Sequence, residues 1–265
     1  MKKRLISSFV MLLIVIPLII MGGNIYHTMV VLLSVFALKE LLSVKNKKKE
    51  IPFLIKIICF FNLLLLLMAS YINNFEISIK IKVLMTLIVT LLLPLIIFRD
   101  QKKYNVEDAF ILVGIILLIG IVFPLFSLVR EKGINMLLYL LMITIMTDTF
   151  AYITGMLIGR NKLIEEISPK KTWEGTIGGS IFGVGIASTF YVMLVDPTIN
   201  IFIIVGITLF LSLLGQLGDL IFSAIKRYYG VKDFSNLIPA HGGILDRLDS
   251  IILVLLGYML FINIL

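Results

Sequence analysis

Predominantly apolar stretches, about as long as a bilayer crossing, constrain this chain more than any other feature of it. Asn62–Ala69 reads NLLLLLMA and Ile111–Ile121 reads ILVGIILLIGI. A half-buried strand would alternate polar and apolar residues, and a transmembrane barrel strand would do so over about 10 residues. These runs do neither. Stretches of this kind recur at Leu5–Met21, Tyr26–Val44, Pro52–Ile72, Ile77–Phe98, Ala109–Val129, Ile134–Ile158, Gly175–Val195, Ile199–Ile225 and Ser250–Leu265. Hydrophobic residues make up 60% of the chain and charged residues 15%, with a mean hydropathy of +1.09. One soluble core cannot hide that much apolar side chain, so the surplus faces lipid. The expected fold is an all-α integral membrane protein with about nine transmembrane helices.

The basic residues orient it. With the N-terminus inside and the spans alternating, eighteen of the 24 Lys and Arg residues fall in inside segments. Only Lys80, Lys82, Arg130 and Lys132 fall outside, while Lys39 and Lys56 lie within spans. That asymmetry places the N-terminus in the cytoplasm of a multi-pass cell membrane protein. Residues 1–21 have the basic start and apolar run of a signal peptide, but no A-x-A-like cleavage site follows, so a first span is expected. Lys45–Glu50 (KNKKKE) reads as an anchor against anionic lipid head groups. The single cysteine, Cys59, excludes disulfides and a cysteine metal site.

Glycine divides the chain. Four of the 19 glycines precede Gly133. Residues 1–132 therefore read as plain transmembrane helices, and residues 133–265 as a small-residue-rich transmembrane region that carries the two longest inside loops. Gly175, Gly179 and Gly183 recur on one helix face, where another helix can approach closely.

Acids inside spans cost about 2.5–3.5 kcal/mol each on insertion scales, so they persist where they face a cavity, a counter-charge or an ion. Asp148 and Asp219 are such acids. Gln216, Asp219, Ser223, Lys226 and Arg227 share one helical stripe that starts polar at membrane depth and ends in two cations. Asp148 shares a stripe with Tyr152, Gly155 and Gly159. The loop Ser168–Gly175 (SPKKTWEG) gathers Ser168, Lys170 and Lys171 beside the only tryptophan, itself a natural interfacial anchor. The last inside loop, Lys232–Ser250, puts the backbone of Gly242 and Gly243 beside His241, which suits a phosphate nest. Asp246 and Asp249 follow at i, i+3 with Arg247 between them. Two carboxylates with phosphate oxygens are a donor set that magnesium accepts. Acids, cations and a glycine turn at lipid level suggest a metal-bridged polyphosphate and a lipid substrate with a head group. There is no P-loop.

The stretch S-x-x-K-R-x(4)-K-D-x-S-x(3)-P-x-H-G-G-x-x-D-R-x-D, here Ser223 to Asp249, resembles the defining motif of the phosphatidate cytidylyltransferases, or CDP-diacylglycerol synthases. Ser168–Gly175 and Gly215–Leu220 (GQLGDL) look like that family's other segments. The resemblance covers roughly Asp148 to Ser250. It departs at Ala240, where many members have glycine. It implies that CTP and phosphatidic acid are converted to CDP-diacylglycerol and pyrophosphate. On that reading Asp219 and Asp246 hold Mg²⁺ and are catalytic together with Lys226 and Arg227. Ser168, Lys170, Lys171, Ser223, Lys232, His241, Gly242, Gly243, Arg247 and Asp249 bind substrates, with Asp148 and Gln216 in supporting roles. The resemblance also implies a homodimer, a monovalent cation such as K⁺ as a candidate second ion, and no nucleic-acid partner. The rival readings are an ion-coupled transporter and a CTP-dependent polyprenol kinase. The first suffers from the unlike halves, since such transporters carry internal repeats.

Overall fold

The structure is a computed structural model that describes residues 2–71, 77–98, 101–239 and 241–265. They are helical apart from one short hairpin and the connecting loops. The chain divides into two compact units, Met1–Leu128 with Asp233–Leu245, and Val129–Lys232 with Asp246–Leu265.

The first unit contains α1 (Lys2–Met21), α2 (Gly23–Asn46), α3 (Phe53–Tyr71), α4 (Ile77–Leu92), α5 (Pro94–Ile97) and most of α6 (Val106–Lys132). Gly22 and Gly23, both at positive φ (64° and 55°), turn the chain between α1 and α2, a conformation that side-chain-bearing residues resist. Pro94 occupies the first position of α5, where its missing N–H is no loss. A reciprocal cap opens α6. The amide of Asp108 donates to Asn105 Oδ1 at 2.9 Å, and the amide of Asn105 donates to Asp108 Oδ2 at 3.0 Å. Asp108 also accepts from Lys45 of α2 and from Lys49 in the turn that follows it. Those two lysines of the expected lipid anchor thus serve an internal ion cluster, and Lys45 is buried. Lys47 and Lys48 keep the exposure that an anchor needs.

The second unit contains α7 (Ile134–Ile158), β1 (Lys162–Ile164), β2 (Ser168–Thr172), α8 (Trp173–Leu194), α9 (Ile201–Tyr228) and α10 (Leu245–Tyr258), whose first residue counts with the first unit. Helices α7 and α8 run antiparallel in close contact. A Cβ added to Gly179 would lie 2.6 Å from the carbonyl oxygen of Thr147, and one on Gly175 would lie 2.6 Å from that of Ala151. Gly183 meets Thr147 in the same way. The glycine stripe is therefore a packing face, as its spacing predicts. Asn135 Nδ2 donates to the carbonyl of Leu194 at 2.6 Å, closing the far end of the pair. Hydroxyl pairs join α7 to α9, namely Tyr139 with Thr208 at 2.7 Å and Thr147 with Ser212 at 2.9 Å. Such bonds matter between apolar helices because lipid offers no hydrophobic drive to hold them together.

Among the described residues six helices are long and apolar enough to cross a membrane: α2, α3, α6, α7, α8 and α9. The remaining expected spans are helical too. The apolar stretch Phe9–Met21 lies in α1 and Ile81–Ile97 in α4 and α5, and α10 has 14 residues, beginning earlier and ending sooner than its apolar run suggests. Large apolar side chains such as Phe61, Phe110, Phe182 and Phe202 point outward, as expected of surfaces that meet lipid tails. The chain is a multi-pass helical membrane protein. The helical architecture is as expected, and within it β1 and β2 form a short antiparallel hairpin in the loop before α8.

Candidate active site

The C-terminal end of α7, the hairpin, the N-terminal end of α8, the C-terminal end of α9 and the N-terminal end of α10 share one end of the second unit. Local chemistry sets each in place. Thr172 caps α8, its hydroxyl accepting from the amide of Gly175 at 3.1 Å. Glu174 ties down the base of the hairpin. Its carboxylate accepts from the amides of Arg160 and Asn161, each at 3.2 Å, and from Asn161 Nδ2 at 2.8 Å. Gly218 lets α9 and α10 touch, since a Cβ there would lie 2.6 Å from the carbonyl oxygen of Asp249.

On this frame the polar stripe of α9 finds partners. Asp219 Oδ2 lies 2.7 Å from Lys171 Nζ of β2, and Ser223 Oγ donates to Asp219 Oδ1 at 3.2 Å. One turn further, Lys226 Nζ donates to Asp246 Oδ1 of α10 at 2.8 Å. The first pair is half open, with side chains 25% and 30% exposed; the second is nearly closed, at 9% and 4%. Ser250 ties in two further acids. Its hydroxyl donates to Asp148 Oδ2 at 3.3 Å, and its amide donates to Asp249 Oδ1 at 2.9 Å. Of these four carboxylates from α7, α9 and α10, Asp219 and Asp246 each contact a lysine, and Asp148 and Asp249 are bonded to Ser250.

The remaining expected residues divide. Gln216 is buried and donates to Ser180 Oγ at 2.8 Å, so it packs α9 on α8. Arg227 is exposed and donates to the carbonyl of Val231 at 3.0 Å, closing the end of α9. Lys170, Lys232 and Arg247 are exposed, and Ser168 is half-buried at the start of β2. His241, Gly242 and Gly243 fall in the first unit. There His241 Nδ1 lies 2.7 Å from Ser7 Oγ, and Gly242 turns the chain at φ 85°. The amides just beyond the glycines, those of Ile244 and Leu245, are bound by the carboxylate of Glu40. This acid of α2 escapes a reading that treats residues 1–132 as plain spans. The signal was present, because Glu40 is an acid within an apolar run, as Asp148 and Asp219 are.

The donor set suits a hard divalent cation. It is all oxygen, its acids outnumber the lysines paired with them, and Asp219 and Asp246 each present a carboxylate at this end of α9 and α10. Among the described residues no three His, Cys, Asp or Glu side chains converge as a closed cage. An ion held by one or two carboxylates and by phosphate oxygens of a substrate is the arrangement magnesium favours.

The model of the cytidylyltransferase family matches residues 2–265. The chain belongs to the cytidylyltransferase family. Similar members include the phosphatidate cytidylyltransferases of Staphylococcus haemolyticus (strain JCSC1435), Staphylococcus aureus (strain COL) and Staphylococcus epidermidis (strain ATCC 12228 / FDA PCI 1200). Each is 36% identical over 256 residues, which is 96% of this chain and 96% of the relative. Cytidylyltransferase membership thus extends over both units and includes the N-terminal helices, where sequence motifs are sparse.

Proposed function

We propose that this chain transfers the cytidylyl group of CTP to phosphatidic acid, giving CDP-diacylglycerol and pyrophosphate, at the cytoplasmic face of the cell membrane. A phosphate oxygen of phosphatidic acid forms a bond to the α-phosphorus of CTP, and the bond from that phosphorus to the β-phosphate bridging oxygen breaks. The attacking phosphate is already an anion, so no base need remove a proton. The requirement is alignment and neutralisation of charge. The observation that carries the reading is the pairing of Lys171 with Asp219 and of Lys226 with Asp246, which joins β2, α9 and α10 in a cytidylyltransferase-family chain.

Lys171 and Lys226 would receive phosphate oxygens in exchange for their present carboxylate partners. Ser223, bonded to Asp219, orients that carboxylate. Lys170, Lys232 and Arg247, exposed at this end, add positive potential that draws in the triphosphate. Asp219 and Asp246 would hold Mg²⁺, which when bound neutralises the phosphates and stabilises the departing pyrophosphate. The active species is proposed to be a homodimer.

The test uses radiolabelled CTP and phosphatidic acid with the detergent-purified protein. Labelled CDP-lipid and an equal amount of pyrophosphate are expected, and EDTA should abolish both until Mg²⁺ is restored. Release of CDP with phosphorylation of a lipid alcohol would instead make the protein a kinase.

A further inference from the structure

Glu40 is a buried carboxylate, 4% exposed, two turns from the end of α2. Its bonding partners come from a segment about 200 residues further along the chain. Oε1 accepts from Ser235 Oγ at 2.6 Å and from the amide of Ile244 at 2.8 Å, and Oε2 accepts from the amide of Leu245 at 3.0 Å. A buried charge without hydrogen bonds is strongly unfavourable, whereas one received by amides at a helix start gains from both the bonds and the helix dipole. The backbone is shaped around it. A Cβ on Gly243 would stand 2.4 Å from Oε1 and 2.6 Å from Oε2, so any side chain there would displace the carboxylate.

We propose that Glu40 is a positioning residue for cytidylyl transfer, an internal anion that locks Ser235 to residues 241–245 and thereby sets the first turn of α10. Leu245 directly precedes Asp246 on the same helix, and Asp249 lies one turn on. Fixing the amides of Ile244 and Leu245 fixes where those two carboxylates begin. A second tether points the same way, since Ser7 of α1 meets His241 within the locked segment. The N-terminal helices therefore hold the reaction's loop in place as well as spanning lipid. This inference rests on the reading of Asp246 as part of the reaction centre.

The experiment compares wild type, E40Q, S235A, G243A, E40Q/G243A and D246N, each purified in detergent, by hydrogen exchange and by steady-state kinetics. Glutamine keeps the size of Glu40 but turns one acceptor into a donor facing an N–H. E40Q should exchange faster over 235–249, leave α8 unchanged, and lose at least about tenfold in kcat, the scale on which misalignment acts. G243A should behave likewise, and E40Q/G243A should be no worse than the poorer single variant by more than about threefold, because both changes break one contact. S235A removes one of the three bonds and should show a smaller change in the same segment, which keeps the test decisive if E40Q does not extract folded. Unchanged exchange in 235–249 for S235A and E40Q, unchanged kcat in a folded E40Q, or independent multiplying losses in the double variant would each overturn the proposal. An active D246N would sink the underlying reading of Asp246 while leaving the clamp to be judged by exchange alone.

Discussion

Two ion pairs in the second unit have the same chemistry and different surroundings, and their surroundings assign them different duties. The Lys171–Asp219 pair is about a quarter to a third exposed. Pairs so open are worth at most about 1 kcal/mol to stability. Losing either partner should leave the fold intact and strike the reaction. D219N and K171M are expected to unfold at nearly the wild-type temperature while cytidylyl transfer drops by about 10²-fold or more, the scale of losing one charge-stabilising group. An active D219N in Mg²⁺ would remove Asp219 from the proposed metal set. The Lys226–Asp246 pair is nearly closed to solvent. Removing one partner takes the opposite charge away from a buried ion, which costs about 3–5 kcal/mol. K226M should therefore lower the melting temperature as well as the activity. K226M/D246L should regain the stability and stay inactive, and calorimetry beside the CDP-lipid assay separates the two effects.

Helix α8 shows how an element positions a site that its own side chains barely form. It starts at a threonine cap immediately after the lysine-bearing strand, and it is pinned on α7 by three glycines one turn apart. Its register on α7 governs where Lys171 sits relative to Asp219. G179V is expected to force α7 and α8 apart and to destabilise the protein by about 1–3 kcal/mol, the usual cost of overpacking. Thermal unfolding in detergent should fall and activity should fall with it. G185V changes a glycine of the same helix that has open space around it, and it should unfold like wild type. Equal behaviour of the two variants would refute the packing role of the stripe.

At the scale of the molecule, α8 spans 22 residues, or about 33 Å of helix, close to the thickness of the hydrocarbon layer. The hairpin at its start and the 195–200 loop at its end should therefore lie on opposite sides of the membrane. With Cys59 replaced by alanine, a cysteine placed at Glu165 should react with an impermeant maleimide only in inside-out vesicles. A cysteine at Thr198 should react only in right-side-out ones. Labelling of both from one side would overturn the topology and with it the cytoplasmic site.

Membrane character, the helical fold and the residues of the α9 stripe were all legible in the sequence. Apolar run length and helical spacing are local properties, and water or lipid enforces them wherever the chain happens to fold. The partners were not legible. Nothing in the spacing of Asp219 and Lys171 says that they meet. Nor does composition reveal that Lys45 and Lys49 serve Asp108, or that Glu40 fills the turn after Gly243. A charged side chain is satisfied by whichever opposite charge or free amide the packing brings within hydrogen-bond reach. Across 48 residues in one case and about 200 in the other, that is a property of the assembled helices alone.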